Sequence, residues 1–391
     1  NGNLGVAIVS GERQAASVLT VDLAAIRDNY RRLKAMVGSR ISCGAVVKAD
    51  AYGLGARQVA KALCVEGCDV FFVALLDEAL ALRPYLPRSA TVVVLNGLPR
   101  GGADECAAAD LVPVLNSMAQ IEDWSACGRR IGQALPAVLQ IDSGMNRLGL
   151  MPRDVVCYLA ERERHVGIDL RFVMSHLACA DEPTGEASAY QRQMFARLTA
   201  GLPRVPRSLA NSSGIFLGVD YHYDLVRPGA ALYGVNPKPG SANPMRPVVR
   251  LTTQVIQLRD IAAGDHVGYG WDFRATGAMQ LATLSIGYAD GLHRALAARG
   301  GVMLGCHRLP IVGRVSMDSL VVDVTAVPKE AVAPGTTVEV IGDHQTVDDL
   351  AAAMGTIGYE VLSSLGHRFT RIYCDDTADS SLPQLSKSLV S

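Results

Sequence analysis

The residues of this sequence that could do chemistry include a lysine at the end of an apolar run. In AVVKADAYGLGA, residues 45–56, Lys48 follows three apolar residues, and Asp50, Tyr52 and two glycines come soon after it. A lysine held out of water has an adjustable charge state, and its neutral nitrogen can attack a carbonyl. A solvated lysine at a strand end has the same local sequence, so the other polar residues of the chain must decide between these interpretations.

Polar residues also follow other apolar runs in the first part of the chain. They are Asp142 and Arg147 after VLQ, His176 after RFVMS, Asn211 and Ser212 after RSLA, and Arg227 with Gly229 in DLVRPGA. Each has an ordinary explanation, since a lone histidine after a buried run is usually a hydrogen-bonded structural residue. Their repetition favours a shared site, because the carboxyl ends of the strands of a parallel barrel meet at one mouth.

The elements that must position these residues are short apolar runs that alternate with helical patterns. From about residue 18 to 235, runs such as ISCGAVV, VFFVAL, TVVVLNG and PAVLQID are followed by helix-compatible segments. Near-continuous apolar strands indicate burial on both faces, as in a parallel sheet. Roughly eight such units suit a (β/α)8 barrel better than an open sheet, although periodicity alone does not separate the two.

The pattern changes after NPKPGSANPMRP, residues 236–247, which has the composition of a linker. Beyond it, VVRLTTQVIQL, MQLATLSIGYAD and SLVVDVT are typical of strands, and only TVDDLAAAMGT and IGYEVLSSLGHR have a helical pattern. We therefore predict the α/β class, with an N-terminal (β/α)8 TIM-type barrel domain over 18–240 and a mainly β C-terminal domain over 241–380. A contribution to the β domain from residues before 18 is left open.

The composition limits the classes of function. The 391 residues are 49% hydrophobic and 19% charged, which predicts a soluble globular protein with two domains. With a net charge of −1 and no basic stripe, neither a nucleic-acid nor a membrane partner is expected. Nine irregularly spaced cysteines indicate reduced thiols in the cytoplasm and no metal site. The opening NGNLGVAIVSGERQ lacks a basic start and a clear cleavage site, so cytoplasmic localisation is expected.

Nine short motifs occur in the order typical of bacterial alanine racemases. They are AVVKADAYGLGA, QIDSGMNRLG, MSHLACAD, ANSSG, VRPGAALYG, VGYG, IGYADG, GRVSMD and GYEVL. The sequence resembles that family over nearly its whole length from about residue 18, in both domains. The family combines a barrel with a β domain and uses pyridoxal 5′-phosphate (PLP). The resemblance thus implies an isomerase that interconverts L-alanine and D-alanine and supplies D-alanine for cell-wall peptidoglycan.

The resemblance implies two catalytic bases. Lys48 matches the lysine that binds PLP covalently and serves as the base on the D-alanine side, and Tyr269 in VGYG matches the base on the L-alanine side. A free tyrosine has a pKa of about 10, and the resemblance implies tuning through a hydrogen-bonded chain of Tyr269, His176 and Arg227. From the strand pattern alone, Tyr269 would be a half-buried strand aromatic.

The resemblance also assigns cofactor and substrate contacts. Arg227 matches the residue that faces the pyridine nitrogen of PLP, where a guanidinium that keeps its proton leaves the nitrogen unprotonated and limits transamination. Alone, it would be a surface arginine before a Pro-Gly turn. The other implied cofactor contacts are Tyr52, Arg147, His176, Asn211, Ser212, Gly229, Ala230 and Tyr359. The implied substrate contacts are Arg147, the backbone N–H of Met317, and Tyr288, which narrows the entrance.

One position departs from the family pattern. Several members have a carboxylated lysine seven residues before the arginine, and its negative charge orients that arginine. Here the position is Gln140, whose amide can accept a bond from Arg147 without the charge. The carboxylated lysine is therefore not expected, and Arg147 is expected to be less tightly held.

Three alternatives and one assembly follow from the same residues. PLP-dependent decarboxylases of basic amino acids place a carboxylate at the pyridine nitrogen and carry a glycine-rich phosphate run, so Arg227 and the absence of that run count against them. A non-enzymatic PLP-binding protein would need only the barrel, so the β domain with Tyr269 and Met317 counts against it. A racemase of broader specificity stays open, because sequence does not give the pocket width.

The resemblance implies a two-fold homodimer in which each β domain closes the partner's barrel mouth.

Overall fold

The chain folds into two compact units in a computed structural model that describes residues 15–161, 165–182, 185–297 and 299–375. The barrel unit comprises Val21–Val249, Ile357–Ser363 and the described residues from Tyr373 onward. The β unit comprises the described residues up to Thr20, Arg250–Thr356 and Ser364–Ile372. The opening segment 1–14 and residue 380, the predicted end of the second domain, lie outside the described residues.

Parallel strands form the core of the barrel unit. After β1 (Ser17–Asp22), which belongs to the sheet of the β unit, they are β2 (Ser42–Cys43), β3 (Ala45–Val46), β4 (Val70–Val73), β5 (Thr91–Val94), β6 (Val112–Leu115), β7 (Leu135–Gln140), β8 (Ile168–Met174), β9 (Arg207–Ser208) and β10 (Leu225–Val226). Strands β3 to β9 are neighbours in chain order, and β10 pairs with β2. Beside β10, Arg227 N–H donates to the Ala210 carbonyl, and Gly44 N–H donates to the Val226 carbonyl, each at 3.0 Å. These bonds close the ring and confirm the predicted barrel.

The strands are apolar because the barrel buries both of their faces. Phe71, Phe72 and Val93 are fully buried, and each such side chain stabilises the fold by roughly 1.5–3 kcal/mol. The run ISCGAVV forms two short strands on either side of Gly44. A Cβ at Gly44 would lie 2.7 Å from the Phe72 ring, so the close approach there requires glycine.

Helices alternate with these strands as the sequence pattern predicts. In the barrel unit they are α1 (Leu23–Val37), the left-handed turn α2 (Lys48–Gly53), α3 (Ala56–Val65), α4 (Leu76–Leu82), α5 (Ala103–Ala108), α6 (Met118–Ile131), α7 (Pro152–Ala160), α8 (Glu186–Thr199) and α9 (Ser212–Ile215). Helix α10 (Val347–Met354) lies in the β unit, and α11 (Gly358–Ser364) lies mainly in the barrel unit. The side chain of Asp22 caps α1 by accepting from Ala25 N–H at 2.7 Å. Val59, Ala60 and Leu63 form the buried face of α3.

The β unit is an antiparallel barrel with two added strands. Its further strands are β11 (Val249–Ile261), β12 (His266–Val267), β13 (Phe273–Arg274), β14 (Met279–Leu284), β15 (Gly301–Leu304), β16 (His307–Val312), β17 (Leu320–Asp323), β18 (Thr337–Ile341) and β19 (Thr370–Cys374). The order β14-β17-β16-β15-β18-β11 closes by pairing of β14 with β11, and β1 and β19 extend the sheet beyond β11. Gln254 N–H donates to the Ala16 carbonyl at 3.0 Å, so residues before 18 contribute to this sheet.

The segment around Tyr269 is not the strand that its aromatic pattern suggests. Tyr269–Trp271 forms a 3-10 helix between β12 and β13. Gly268 and Gly270 have φ values of 76° and 73°, which a pleated strand does not contain. The expectation of a half-buried strand aromatic is therefore wrong, and the Tyr269 side chain is 70% exposed.

The described residues also bear on membranes, metals and thiols. None of their helices is long and apolar enough to cross a membrane. The same residues include no group of three or more histidine, cysteine or carboxylate side chains that could hold a metal ion. All nine cysteines are free thiols.

Candidate active site

Lys48 lies just after strand β3, at the start of a left-handed turn. Residues 49–52 have φ values of 52°, 53°, 54° and 56°. Each left-handed non-glycine residue costs about 1–2 kcal/mol, so specific contacts must hold the turn. One of them is the Ala49 N–H, which donates to Glu78 Oε1 at 2.6 Å.

The surroundings of Lys48 favour its neutral form. Burial lowers the pKa of the Lys48 amine, the Arg147 guanidinium lowers it further, and the Glu78 carboxylate opposes both. A larger fraction of this amine is therefore unprotonated at a given pH than of a free lysine. Such an amine can bond to a carbonyl carbon or accept a proton.

Arg227 is buried at the same mouth, with its guanidinium fixed by strand ends. Nη2 donates to the Ser175 carbonyl at 2.6 Å, and Nη1 donates to Ser208 Oγ. Burial lowers the pKa of Arg227 from its ordinary value, yet a guanidinium starts so high that it stays protonated. Nη2 also donates to the Leu209 carbonyl at 3.4 Å. Among the described residues, the N–H of Nε and the second N–H of Nη1 have no acceptor, which leaves two N–H groups for other partners.

His176 is neutral beside this charge. Burial lowers the pKa of His176 to about 3, with further lowering by Arg227, Arg147 and Lys48. A neutral imidazole has one N–H donor and one lone-pair acceptor. His176 can therefore accept a bond from a guanidinium through one nitrogen and donate through the other.

A ring of small groups and hydroxyls forms an anion cradle. Ser212 Oγ accepts from Gly229 N–H at 2.9 Å and from Ala231 N–H at 3.2 Å. A Cβ at Gly229 would lie 2.5 Å from the Tyr52 hydroxyl oxygen, so a larger residue would fill this space. The ring of Tyr52 lies 6.1 Å from that of Tyr359. In both bonds Ser212 Oγ is the acceptor, so its O–H can still donate to a ligand. Hydroxyl donors at strand-to-helix turns bind phosphate, so this site fits the phosphate of PLP.

Asn211 lies beside this cradle, in the turn between β9 and α9. Its Oδ1 accepts from Gly214 N–H at 2.9 Å and caps α9, whose first residue is Ser212. Ala230 follows Gly229 and begins the next 3-10 helix, Ala230–Tyr233. Both residues thus lie beside the groups that could hold the phosphate.

The loop that carries Arg147 is organised by Asp142. Asp142 Oδ1 accepts from the N–H groups of Gly144, Met145 and Asn146 at 2.9, 3.0 and 3.1 Å.

Gln140 closes the same loop. Its Nε2 donates to the Leu148 carbonyl at 3.1 Å, and no bond from Gln140 to Arg147 is present among the described residues. Gln140 therefore holds the loop backbone, and the Arg147 side chain is exposed.

The remaining predicted site residues lie in the β unit. Tyr269, Tyr288 and Met317 are 70%, 41% and 52% exposed. The backbones that carry the last two are tied together, since Tyr288 N–H donates to the Ser316 carbonyl and Ala289 N–H donates to the Met317 carbonyl, each at 3.0 Å. The segments that carry Tyr288 and Met317 are thus hydrogen-bonded to each other.

The predicted positions divide between the two units. The barrel unit carries Lys48, Tyr52, Arg147, His176, Asn211, Ser212, Arg227, Gly229, Ala230 and Tyr359, and the β unit carries Tyr269, Tyr288 and Met317. Sequence reasoning missed Ser175, Ser208 and Glu78. Ser175 directly follows the apolar end of β8, which is a signal that could have found it, whereas Ser208 lies in the short polar strand β9 and has no such signal.

Sequence comparison identifies the two halves of the chain. The sequence model of the alanine racemase N-terminal domain matches residues 21–237, and that of the alanine racemase C-terminal domain matches residues 248–373. A catabolic alanine racemase of Mesorhizobium japonicum is 53% identical over 365 residues, which are 93% of this chain and 94% of that protein. An alanine racemase of Brucella canis is 46% identical over 374 residues, with 92% and 94% covered.

Solved structures agree with the sequence comparison. An alanine racemase of Bartonella henselae with covalently bound pyridoxal phosphate has a TM-score of 0.89 at 42% identity, over 92% of this chain and 100% of that one. The biosynthetic alanine racemase of Pseudomonas aeruginosa has a TM-score of 0.86 at 38% identity, with 92% and 99% covered. The chain therefore belongs to the alanine racemase family of PLP-dependent isomerases.

Proposed function

We propose that this protein interconverts L-alanine and D-alanine with PLP held in the barrel unit. The observation that carries the proposal is a lysine of lowered pKa that shares its surroundings with buried Arg227 and neutral His176. The phosphate of PLP would be held by Tyr52, Ser212, Gly229 and the residues beside them. Arg147 and the backbone N–H of Met317 would bind the substrate carboxylate.

The proton transfers are assigned to two residues. When bound, PLP supplies the electron delocalisation that makes the α-hydrogen of an amino acid acidic. Lys48 would hold the cofactor covalently and then move the proton on the D-alanine side. Tyr269 would move the proton on the L-alanine side. If His176 accepts from Arg227, its remaining N–H can donate to the Tyr269 oxygen, which stabilises the phenolate form.

Arg227 would face the pyridine nitrogen through Nε, since Nη2 donates to two carbonyls and Nη1 donates to Ser208 Oγ. The second N–H of Nη1 is then left for His176. A protonated guanidinium donates to that nitrogen and gives it no proton. This arrangement limits electron withdrawal, and limited withdrawal favours racemisation over transamination.

Arg227→Glu is expected to lower racemisation by roughly ten- to hundred-fold, the range for loss of a charged hydrogen bond. A carboxylate would let the ring nitrogen keep a proton, so pyruvate formed per racemisation turnover should rise. Arg227→Gln is the matched control, because it shortens the side chain without supplying a carboxylate, and its pyruvate ratio should stay at the wild-type level. An unchanged ratio in Arg227→Glu with PLP bound would contradict the assignment.

The experiment that tests the proposed substrate is racemisation of single amino acids. Alanine should have the highest kcat/KM, and serine and valine should be at least about ten-fold lower, because one or two extra heavy atoms in a small pocket cost that much. Circular dichroism of each product mixture measures the rate in both directions. Comparable kcat/KM for a larger side chain would favour the alternative of a broader racemase.

We also propose a homodimer in the cytoplasm. Tyr269 and Trp271 are 70% and 71% exposed in the single chain, and aromatic side chains are enriched at protein–protein interfaces. In the proposed dimer, Tyr269 of one subunit serves the Lys48 of the other. The cytoplasmic location is supported by nine free thiols, which a reducing compartment preserves.

The proposed physiological role is supply of D-alanine for peptidoglycan. A second candidate, breakdown of D-alanine, is favoured by the names of relatives from Mesorhizobium japonicum and Agrobacterium fabrum, both called catabolic. Deletion of the gene distinguishes the two physiological roles. A requirement for added D-alanine supports the first role, and loss of growth on D-alanine as the nutrient supports the second.

A further inference from the structure

The strained turn after Lys48 is held at its two ends by different groups. At the far end, Ala56 N–H donates to Asp50 Oδ1 at 2.7 Å. The Tyr52 ring lies 4.8 Å from that of Tyr233. At the near end, the Ala49 N–H donates to Glu78 Oε1, and no other acceptor for it is present among the described residues.

Glu78 makes this contact while it is fixed from the other side. Its second oxygen, Oε2, accepts from Ala74 N–H at 2.7 Å and from Leu75 N–H at 3.1 Å. One carboxylate therefore ties the residue after Lys48 to the loop between β4 and α4. Bonds of backbone N–H groups to a carboxylate are among the strongest that a neutral donor makes.

We propose that Glu78 is a positioning residue for Lys48: its carboxylate holds the start of the left-handed turn, and thereby the Lys48 amine, in the direction needed to bond to PLP. The inference rests on the proposed role of Lys48 as the cofactor lysine. Glu78 would touch neither cofactor nor substrate. It acts through the backbone of Ala49, and its charge also raises the pKa of Lys48, an effect that Glu78→Asp keeps and Glu78→Gln removes.

The test separates covalent capture from phosphate binding. PLP carries the aldehyde with which Lys48 reacts, whereas pyridoxamine 5′-phosphate has the same ring and phosphate but no aldehyde. Glu78→Gln should weaken PLP binding to full-length apoprotein by roughly ten- to hundred-fold, the range for a hydrogen bond to a charged group. Its affinity for pyridoxamine 5′-phosphate should stay within about two-fold of wild type, because Asp50 and the tyrosine rings still hold Tyr52.

Two variants complete the comparison. Asp77→Asn removes the same charge from the same first turn of α4 at an exposed residue, and both affinities should be unchanged. Glu78→Asp keeps the charge but is one methylene shorter, so it cannot reach Ala49 and Ala74 together and should behave as Glu78→Gln does. The proposal is wrong if Glu78→Gln weakens the binding of PLP and of pyridoxamine 5′-phosphate equally. It is also wrong if Glu78→Asp binds PLP as tightly as wild type, or if neither variant changes the affinity for PLP.

The role of Lys48 is tested in parallel. Borohydride treatment of the wild-type complex should fix PLP to Lys48, as located by peptide mass spectrometry. Fixation at another lysine means that the proposed function of Lys48 has failed. Fixation at Lys48 together with unchanged binding in Glu78→Gln means that only the inference about Glu78 has failed.

Discussion

Lys48→Ala is expected to lower alanine racemisation by at least about a thousand-fold in both directions. The variant loses a positioned base, whose contribution is typically 10²–10⁴-fold, and also the covalent hold on the cofactor. The base and the covalent link to PLP are both provided by the Lys48 amine, whose pKa is lowered by burial and by Arg147. Racemisation should be measured at saturating PLP, so that weak cofactor binding does not account for the loss.

The matched control is Lys61→Ala. Lys61 is an exposed lysine of the neighbouring helix α3, so its removal alters the net charge equally and should leave racemisation within about two-fold of wild type. PLP bound to Lys48→Ala should not be fixed to the protein by borohydride. Normal fixation, or activity close to wild type, would show that another residue does the work assigned to Lys48.

The same substitution should change the pH dependence of stability in the apoprotein. Because the pKa of Lys48 is lower in the folded state, the unfolded chain binds more protons between that pKa and the ordinary lysine value of about 10.4. Stability from this group therefore rises with pH in that window. Below it, the buried charge costs stability, so Lys48→Ala should unfold at higher denaturant than wild type at neutral pH. The difference should shrink as the pH approaches 10.

The fold was predictable from sequence wherever burial leaves a local pattern. Strands such as β4 and β6 are apolar throughout because the barrel covers both of their faces. The antiparallel unit follows a segment with the composition of a linker. The split at Gly44 was not predictable, because it depends on the Phe72 ring, which is distant in sequence.

The site was predictable only in part from the residues themselves. Strand ends pointed to Lys48, His176 and Arg227, but Tyr269 has no local signal apart from the resemblance. Its two flanking glycines adopt left-handed φ values and turn an apparent strand into an exposed aromatic. The role of Glu78 could not be predicted from sequence, because it depends on bonds from backbone N–H groups that the fold brings to its carboxylate. The spacing of residue types along the chain does not indicate such bonds.

The division of the site residues between two units leads to the prediction about assembly. Lys48 belongs to the barrel unit and Tyr269 to the β unit. In the proposed head-to-tail homodimer, the two bases of one site come from different subunits. Lys48→Ala and Tyr269→Phe homodimers should then both be nearly inactive.

Mixing these two variants should restore activity. In a mixed dimer, one site carries both substitutions, and the other has an intact lysine from one subunit and an intact tyrosine from its partner. Random re-association of equal amounts makes about half of the dimers mixed, and each has one working site of two, so activity should approach roughly a quarter of wild type. Distinguishable tags on the two variants measure the extent of exchange.

The matched control is a mixture of Lys48→Ala with Arg227→Glu. Both substitutions lie in the barrel unit, so each site of a mixed dimer keeps one of them whichever subunit supplies Tyr269, and mixing should add nothing to the residual activity of the parents. The pair of mixtures thus distinguishes a shared site from a general benefit of subunit exchange. If exchange is complete and the Lys48→Ala and Tyr269→Phe mixture stays inactive, each site is built within one chain and the proposed dimer is wrong.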